Sequence, residues 1–379
     1  MVRTIGLKLA HLVPVLFLVS LATFFMLELI PGDPAFTIAG PDATQEQYAE
    51  IRRELGLDRP VVERYVDWLG DTLTGNFGRS FFPPEQEVST MIGQRLPVTL
   101  QITIMSIGMA LLIAIPMALV VASRPGSILD RLTTAGAFGA ISVPSFLAGL
   151  LLIFFFVFRQ DVVRWVVLLA GLGLIAALMA PVPGKAATYP PGPHRRRYVT
   201  RSVVLALIGL AVLVGLFLTF PDFPRQGFSR ITGDDGLREN LRSAFLPALT
   251  LAVIEAAVWM RLLRSDLIGT LQEDYVLAAR AKGMPRWRIL LKDALRPSSF
   301  SLITVVGVSI GRLLGGSIIV ERIFNLPGIG TMMVQGITGK DFRVVQTGVL
   351  LIAVFYVVVN AVIDVSYSYL DPRIRRGRV

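Results

Sequence analysis

Apolar runs long enough to cross a bilayer recur along the whole chain, and no other feature restricts its fold as much. A bilayer core of about 30 Å takes roughly 20 apolar residues as helix. Eight runs meet or approach that length, at about 9–30, 98–122, 138–158, 165–180, 202–220, 246–266, 298–319 and 346–368. Backbone in hydrocarbon must satisfy its own polar groups, so such runs read as helices. The expectation is an all-α integral membrane protein, a polytopic helix bundle of about eight transmembrane helices. Arg3 and Lys8 precede the first run as in a signal peptide. Its apolar stretch is too long for one and no small-x-small cleavage site follows, so it reads as a retained anchor.

The composition removes several classes of function. Hydrophobic residues make up 53% and charged residues only 17%, too apolar for a disordered chain. There are no cysteines, which excludes disulfides, thiolate metal sites and cysteine nucleophiles. The two histidines, His11 and His194, lie far apart, so no histidine-rich zinc site is expected. No phosphate-binding G-x-x-x-x-G-K-[ST] loop is present, because Gly184-Lys185-Ala186 lacks the upstream glycine and the hydroxyl. No G-x-S-x-G nucleophile elbow occurs. The chain is read as a non-enzyme with no catalytic residue and no metal ligand.

The net charge of +10 would suggest nucleic acid in a soluble protein, but its distribution follows the membrane. With the N-terminus inside, segments 1–8, 123–137, 181–201, 261–297 and 371–379 fall on the inner face. They hold 21 Lys and Arg against six acids. The large outer segment, 31–96, holds 6 basic and 11 acidic residues. The basicity is therefore mostly topology. Nucleic acid is not an expected partner, the lipid bilayer is, and both termini are expected to be cytoplasmic.

Five regions follow: an N-terminal anchor (1–30), an extracytoplasmic cap (31–97), core helices (98–158), a two-helix hairpin with a basic, proline-rich inner loop (159–220), and further core helices (221–379). The cap reads as two helices, Thr44 to Leu55 with Thr44 as N-cap and Pro60 to Leu73. The loop 181–201 carries five prolines and Arg195-Arg196-Arg197. It is either a positive-inside anchor or a contact for anionic lipid. The inner segment 264–297 reads as two short helices separated at Gly283 and Pro285.

Two constellations remain as functional candidates. The first is the stretch Asp274 to Pro285, where Ala278 and Ala279 allow close approach and Gly283 permits φ > 0 and ends a helix. It is either a rigid knob for a partner or a plain inner loop. The second is charge within spans, which is costly and so a functional candidate by default. Arg312 lies among Gly307, Gly311, Gly315 and Gly316, and Glu255 lies in the preceding span. They are either pore lining or a buried pair that stabilises the bundle. Asn360, Asp364 and Tyr367 share one helix face, for packing or for substrate.

The first constellation resembles the EAA loop of bacterial ABC importer permeases, which reads Glu-Ala-Ala, three residues, Gly, nine residues, Ile-x-Leu-Pro. This chain has Leu277 for the Glu, Asp293 for the Ile, Arg296 for the Pro, and Pro297 one place late. Ala279-Arg280-Ala281-Lys282-Gly283 is similar to the A-R-A-K-G of the dipeptide/oligopeptide (DppB/OppB-type) branch. Three further blocks resemble that branch: Leu29 to Pro34; Leu55 to Val61 leading to Trp68, Gly75 and Gly78; and Phe324 to Gly330 with Asn360, Asp364, Tyr367 and Asp371 to Arg375.

The resemblance implies a six-span permease core, with 165–180 and 202–220 as an inserted pair of uncertain use, lipid-facing or a docking surface. It implies a multi-pass subunit of the bacterial cytoplasmic membrane forming half of a translocation pore. The partners would be a second, homologous permease (DppC/OppC-like), two ATPase subunits and an extracytoplasmic binding lipoprotein or periplasmic protein. ATP and Mg would sit on the ATPases, with no cofactor in this chain. The coupling residues would be Leu277, Ala278, Ala279, Arg280, Lys282, Gly283, Arg286, Arg288 and Leu290, and the pore-lining candidates Arg312, Glu255, Asn360 and Asp364. Di- or oligopeptide is the implied substrate class; glutathione, haem or a metal chelate stays open. A secondary carrier and a membrane scaffold are the other readings.

Overall fold

The computed structural model describes residues 2–28, 34–40, 43–54, 56–80, 85–179, 193–231 and 236–370. The described elements are helices: α1 (Val2–Glu28), α2 (Pro34–Ala39), α3 (Gln45–Glu54), α4 (Val61–Leu73), α5 (Val88–Ala122), α6 (Ile128–Ser142) and α7 (Ser145–Ile153). Then come α8 (Gln160–Met179), α9 (Pro193–Leu218), α10 (Gly236–Thr270), α11 (Asp274–Ala281), α12 (Arg286–Ile323), α13 (Ile329–Thr338) and α14 (Phe342–Leu370).

Six of the eight apolar runs lie wholly in helices over their described residues; 138–158 is interrupted at Val143-Pro144 and 202–220 passes the helix end at Leu218. Among the described residues, five helices are long and apolar enough to cross a membrane: α5, α10, α12, and the stretches Tyr198–Leu218 of α9 and Phe342–Ile363 of α14. The run 138–158, expected as one span, is instead broken into α6 and α7, and counts as a sixth only if the pair is taken together. The cause is Pro144, which forces the residue before it out of the helical region: Val143 is extended, with φ −84° and ψ 122°. Within α1, Leu12–Phe25 is a shorter apolar helix.

The chain divides into two compact units. The first comprises Met1–Phe146, Gln226–Phe228 and Pro247–Val379. Its largest core cluster joins Ala110, Ala114, Ala118 and Ala122, a stripe recurring every fourth residue of α5, with Ala252, Ala256, Trp259, Leu263 and Leu267 of α10. Such small side chains let helices approach closely where lipid supplies no hydrophobic drive. Gly311 of α12 serves the same end, since a Cβ there would collide with the Tyr356 ring of α14.

The expected cap helices are present. Thr44 and Gln47 form a reciprocal capping box at α3, with Gln47 N–H donating to Thr44 Oγ1 (3.3 Å) and Thr44 N–H to Gln47 Oε1 (3.0 Å). The α4 helix leans on α1: the Ser20 and Tyr65 hydroxyls are 2.7 Å apart and Phe24 packs against Tyr65 and Trp68. The end of the cap packs against the α12–α14 connection. Val88 and Ile92 share a cluster with Ile329, Met332 and Val344, and the Ser80 hydroxyl donates to Asp341.

The second unit comprises Leu147–Arg225 and Ser229–Leu246. Here α8 and α9 pack against each other, with Trp165 edge-on to Phe217 and Gly171 tight against Leu213. Phe156, Phe220, Phe223 and Phe245 form an aromatic cluster, with Arg164 over the Phe220 ring. The blocks Leu29 to Asp33 and Asp371 to Arg375, and most of the proline-rich loop, lie outside the described residues.

Candidate coupling loop and buried ion pairs

The segment after α10 folds as two short helical pieces about a turn, as its residues require. The α11 helix starts at Asp274, a charge suited to a helix N-terminus. It ends in a Schellman motif. Gly283 takes φ +74°, its N–H bonds the Arg280 carbonyl (2.9 Å), and the Met284 N–H reaches back to the Ala279 carbonyl (3.2 Å). Pro285 then caps α12, whose first turn leads into a π-helical stretch, Ile289–Ala294.

Two side chains pin this loop from below. Val276 and Ile289 are almost fully buried. Tyr275 donates to the Asp293 carbonyl (3.2 Å). Partial burial, with Glu273 and Asp293 nearby, pushes its phenol above the ordinary value, so it stays a donor. The outer surface is open: Leu277, Ala278, Arg280, Lys282, Gly283, Arg286 and Arg288 are exposed, while Ala279 and Leu290 are half-buried. Trp287, which the sequence reading did not single out, is 65% exposed. The result is a rigid, basic knob with apolar points at Leu277 and Trp287. Arg280 also donates to the Leu271 carbonyl (3.3 Å), which ties the knob to the end of α10.

Glu255 and Arg312 meet, as their helices allow. One guanidinium nitrogen, Nη2, donates to both carboxylate oxygens at 2.8 Å, and to the Ser309 hydroxyl at 3.2 Å. Ser309 also accepts from the Trp259 indole (3.3 Å). The pair is lopsided: the Glu255 side chain is 5% exposed and that of Arg312 58%. Asn360 sits apart from this pair in its bonding, its side chain donating to the Tyr356 carbonyl one turn back (2.9 Å). Asp364 and Tyr367 lie on the same helix, but their side chains are outside the described residues.

Two polar clusters escaped the sequence reading. Arg264 grips Asp130 with both arms of its guanidinium, at 2.6 and 2.7 Å. Asp130 also accepts from the Gly126 N–H (2.8 Å), and its own N–H donates to the N-cap Ser127. The Ser127-x-x-Asp130 spacing is a legible capping signal; its partner 134 residues away is not. Glu321, fully buried, accepts from the Thr99 hydroxyl (2.7 Å) and the Thr331 N–H (2.9 Å), while Thr99 accepts from the Ile329 N–H (2.9 Å). A carboxylate and a hydroxyl thus meet the positive N-terminus of α13. Gly328 and Gly330 leave room for that carboxylate.

The exposed knob offers a surface on which another subunit can act. Residues 192–376 match the family described as binding-protein-dependent transport system inner membrane component, and residues 1–103 match the N-terminal model of the same kind of component. The chain is 31% identical over 369 residues to a probable peptide ABC transporter permease protein of Sinorhizobium fredii, covering 97% of each chain. It is 31% identical over 387 residues to a di/tripeptide transport system permease protein of Pseudomonas aeruginosa, covering all of both. It is 30% identical over 383 residues to a dipeptide transport system permease protein of Escherichia coli K12, again covering all of both. A carrier or a scaffold would have no reason to match in this way end to end. The chain belongs to the binding-protein-dependent transport system inner membrane component family and is a multi-pass permease subunit of such a transport system.

Proposed function

We propose that this subunit forms half of a pore for di- or oligopeptides in the bacterial cytoplasmic membrane. A second, homologous permease completes the pore and an extracytoplasmic binding protein delivers the peptide. Two ATPase subunits, carrying ATP and Mg, dock on the inner knobs. The observation that carries this reading is the Asp274–Leu290 knob: buried at Val276 and Ile289, closed by its main chain at Gly283, and basic on its open side. A rigid plug of that kind transmits a push along α10 and α12. The relatives named as peptide permeases supply the substrate class.

The orientation has both termini inside. The basic inner segments support it, and the packing of residues 77–96 with residues 329–352 fits an arrangement with both on one side. The compactness of Leu147–Arg225 supports α8 and α9 as an addition to a six-span core. ATPase closure would then rock the bundle between two access states, a two-state element biased from both faces.

The test is purification of the tagged full-length chain after gentle detergent extraction, with subunit identification and an ATPase assay. A homologous permease and two ATPases should co-purify. The ATPases should be lost in Ala279→Trp with Gly283→Trp, and in the milder Arg280→Glu with Arg288→Glu. Recovery of the chain alone, or as a homo-oligomer without ATPase activity, would overturn the proposal.

A further inference from the structure

A cavity of about 490 Å³ opens in the first unit, away from the coupling knob. It is lined by Thr134, Phe138 and Ile141 of α6 and by Val258, Arg261, Leu262, Arg264 and Ser265 of α10. Its walls are aliphatic and aromatic apart from Arg261, Arg264, Thr134 and Ser265. Arg264 is committed there to Asp130 through two short bonds. Arg261 is not committed: its guanidinium lies flat over the Phe138 ring, 3.9 Å from the centroid, and no carboxylate lies within ion-pair range among the described residues. The three charges leave the cavity with one net positive charge. That charge is held in place by a stacked ring and is free to bond an anion through its edge.

We propose that this cavity binds the phosphate headgroup of an anionic membrane lipid, with an acyl chain along Phe138, Ile141, Val258 and Leu262. The fit is to an amphiphile carrying one negative charge. A zwitterionic peptide would leave its ammonium facing arginines and its polar backbone facing aliphatic walls. The Ser265 hydroxyl adds a donor for phosphate oxygens, whereas that of Thr134 is already donated to Asp130 (3.4 Å). The site rests on the same orientation as the proposed function, which puts residues 123–137 and 261–297 on the inner face, where anionic headgroups attract basic side chains. Occupancy would brace α6 against the part of α10 that leads into the coupling knob.

The test is native mass spectrometry of the full-length chain in detergent, titrated separately with phosphatidylglycerol, phosphatidylcholine, inorganic phosphate and a dipeptide. Transport plays no part in this readout, so its failure is distinct from failure of the peptide-permease reading. One phosphatidylglycerol should be retained in preference to phosphatidylcholine. Arg261→Gln should weaken that retention roughly tenfold, the loss expected for one charge-assisted bond. Arg131→Gln, which removes an exposed inner-face charge outside the cavity, should leave it unchanged. Equal retention of the two lipids, or equal weakening by both substitutions, would overturn the proposal. Displacement by millimolar phosphate would assign the site to a free anion, and displacement by dipeptide would assign it to substrate; either result removes the lipid.

Discussion

Replacing Arg312 by leucine tests whether the Glu255–Arg312 pair is structural, and the unequal burial of its members fixes the expected order of effects. With the arginine gone, a carboxylate only 5% exposed loses both of its 2.8 Å bonds. Breaking a fully buried pair costs about 3–5 kcal/mol. The open position of Arg312 places this case at the low end, about 3 kcal/mol. Glu255→Leu is different, because the arginine left behind is 58% exposed and can turn to water or headgroups. Its loss should cost about 1 kcal/mol, in the range of a single net hydrogen bond. The double substitution should resemble Glu255→Leu alone, since no buried charge remains. The assay is thermal unfolding of the four purified chains in one detergent at one scan rate, because such melts are rate-dependent. Arg312→Leu should melt lowest, with the double variant above it. A double variant that melts below Arg312→Leu would refute the pairing argument. Retained peptide transport in Arg312→Leu would remove Arg312 from the pore lining, and lost transport at unchanged melting temperature would place it there.

Other perturbations follow from the same geometry. Gly283→Val forces a β-branched residue to φ +74° and should cost at least about 1 kcal/mol locally, raising hydrogen exchange at Gly283 and Met284, whereas Gly283→Asn should be tolerated. Glu321→Leu removes the acceptor at the start of α13; the Thr331 amide should exchange faster while α1 is unaffected. Gly311→Ala should lower expression of folded protein by collision with Tyr356, and Tyr356→Ala should restore it, since the ring is the group in the way.

Helices were legible where apolar length or local capping decided them. The capping box at Thr44, the knob between Asp274 and Pro285 and the glycine that ends α11 could all be read from neighbouring residues. What sequence order hid was set by distant partners. Asp130 counted only as one acid of an inner loop until α10 brought Arg264 to it, and Glu321 lay at a span end with no visible reason to be buried. The break at Pro144 was masked by the apolar residues on either side, which read as one run because hydropathy is blind to the constraint a proline puts on the residue before it. Trp287 was passed over because its exposure depends on which face of the helical turn after Pro285 points outward.

The end of α11 is closed by main-chain bonds alone, from Gly283 and Met284. The turn that ends α11 therefore does not depend on the exposed side chains of Lys282, Arg286 and Trp287. Form and affinity can be tuned apart: Lys282, Arg286 and Trp287 can be exchanged one at a time to strengthen or weaken a fit without remaking the plug. Substitutions there should give graded responses, like turning a dial. At Gly283 the response should be a switch, because that residue alone decides whether there is a plug to fit.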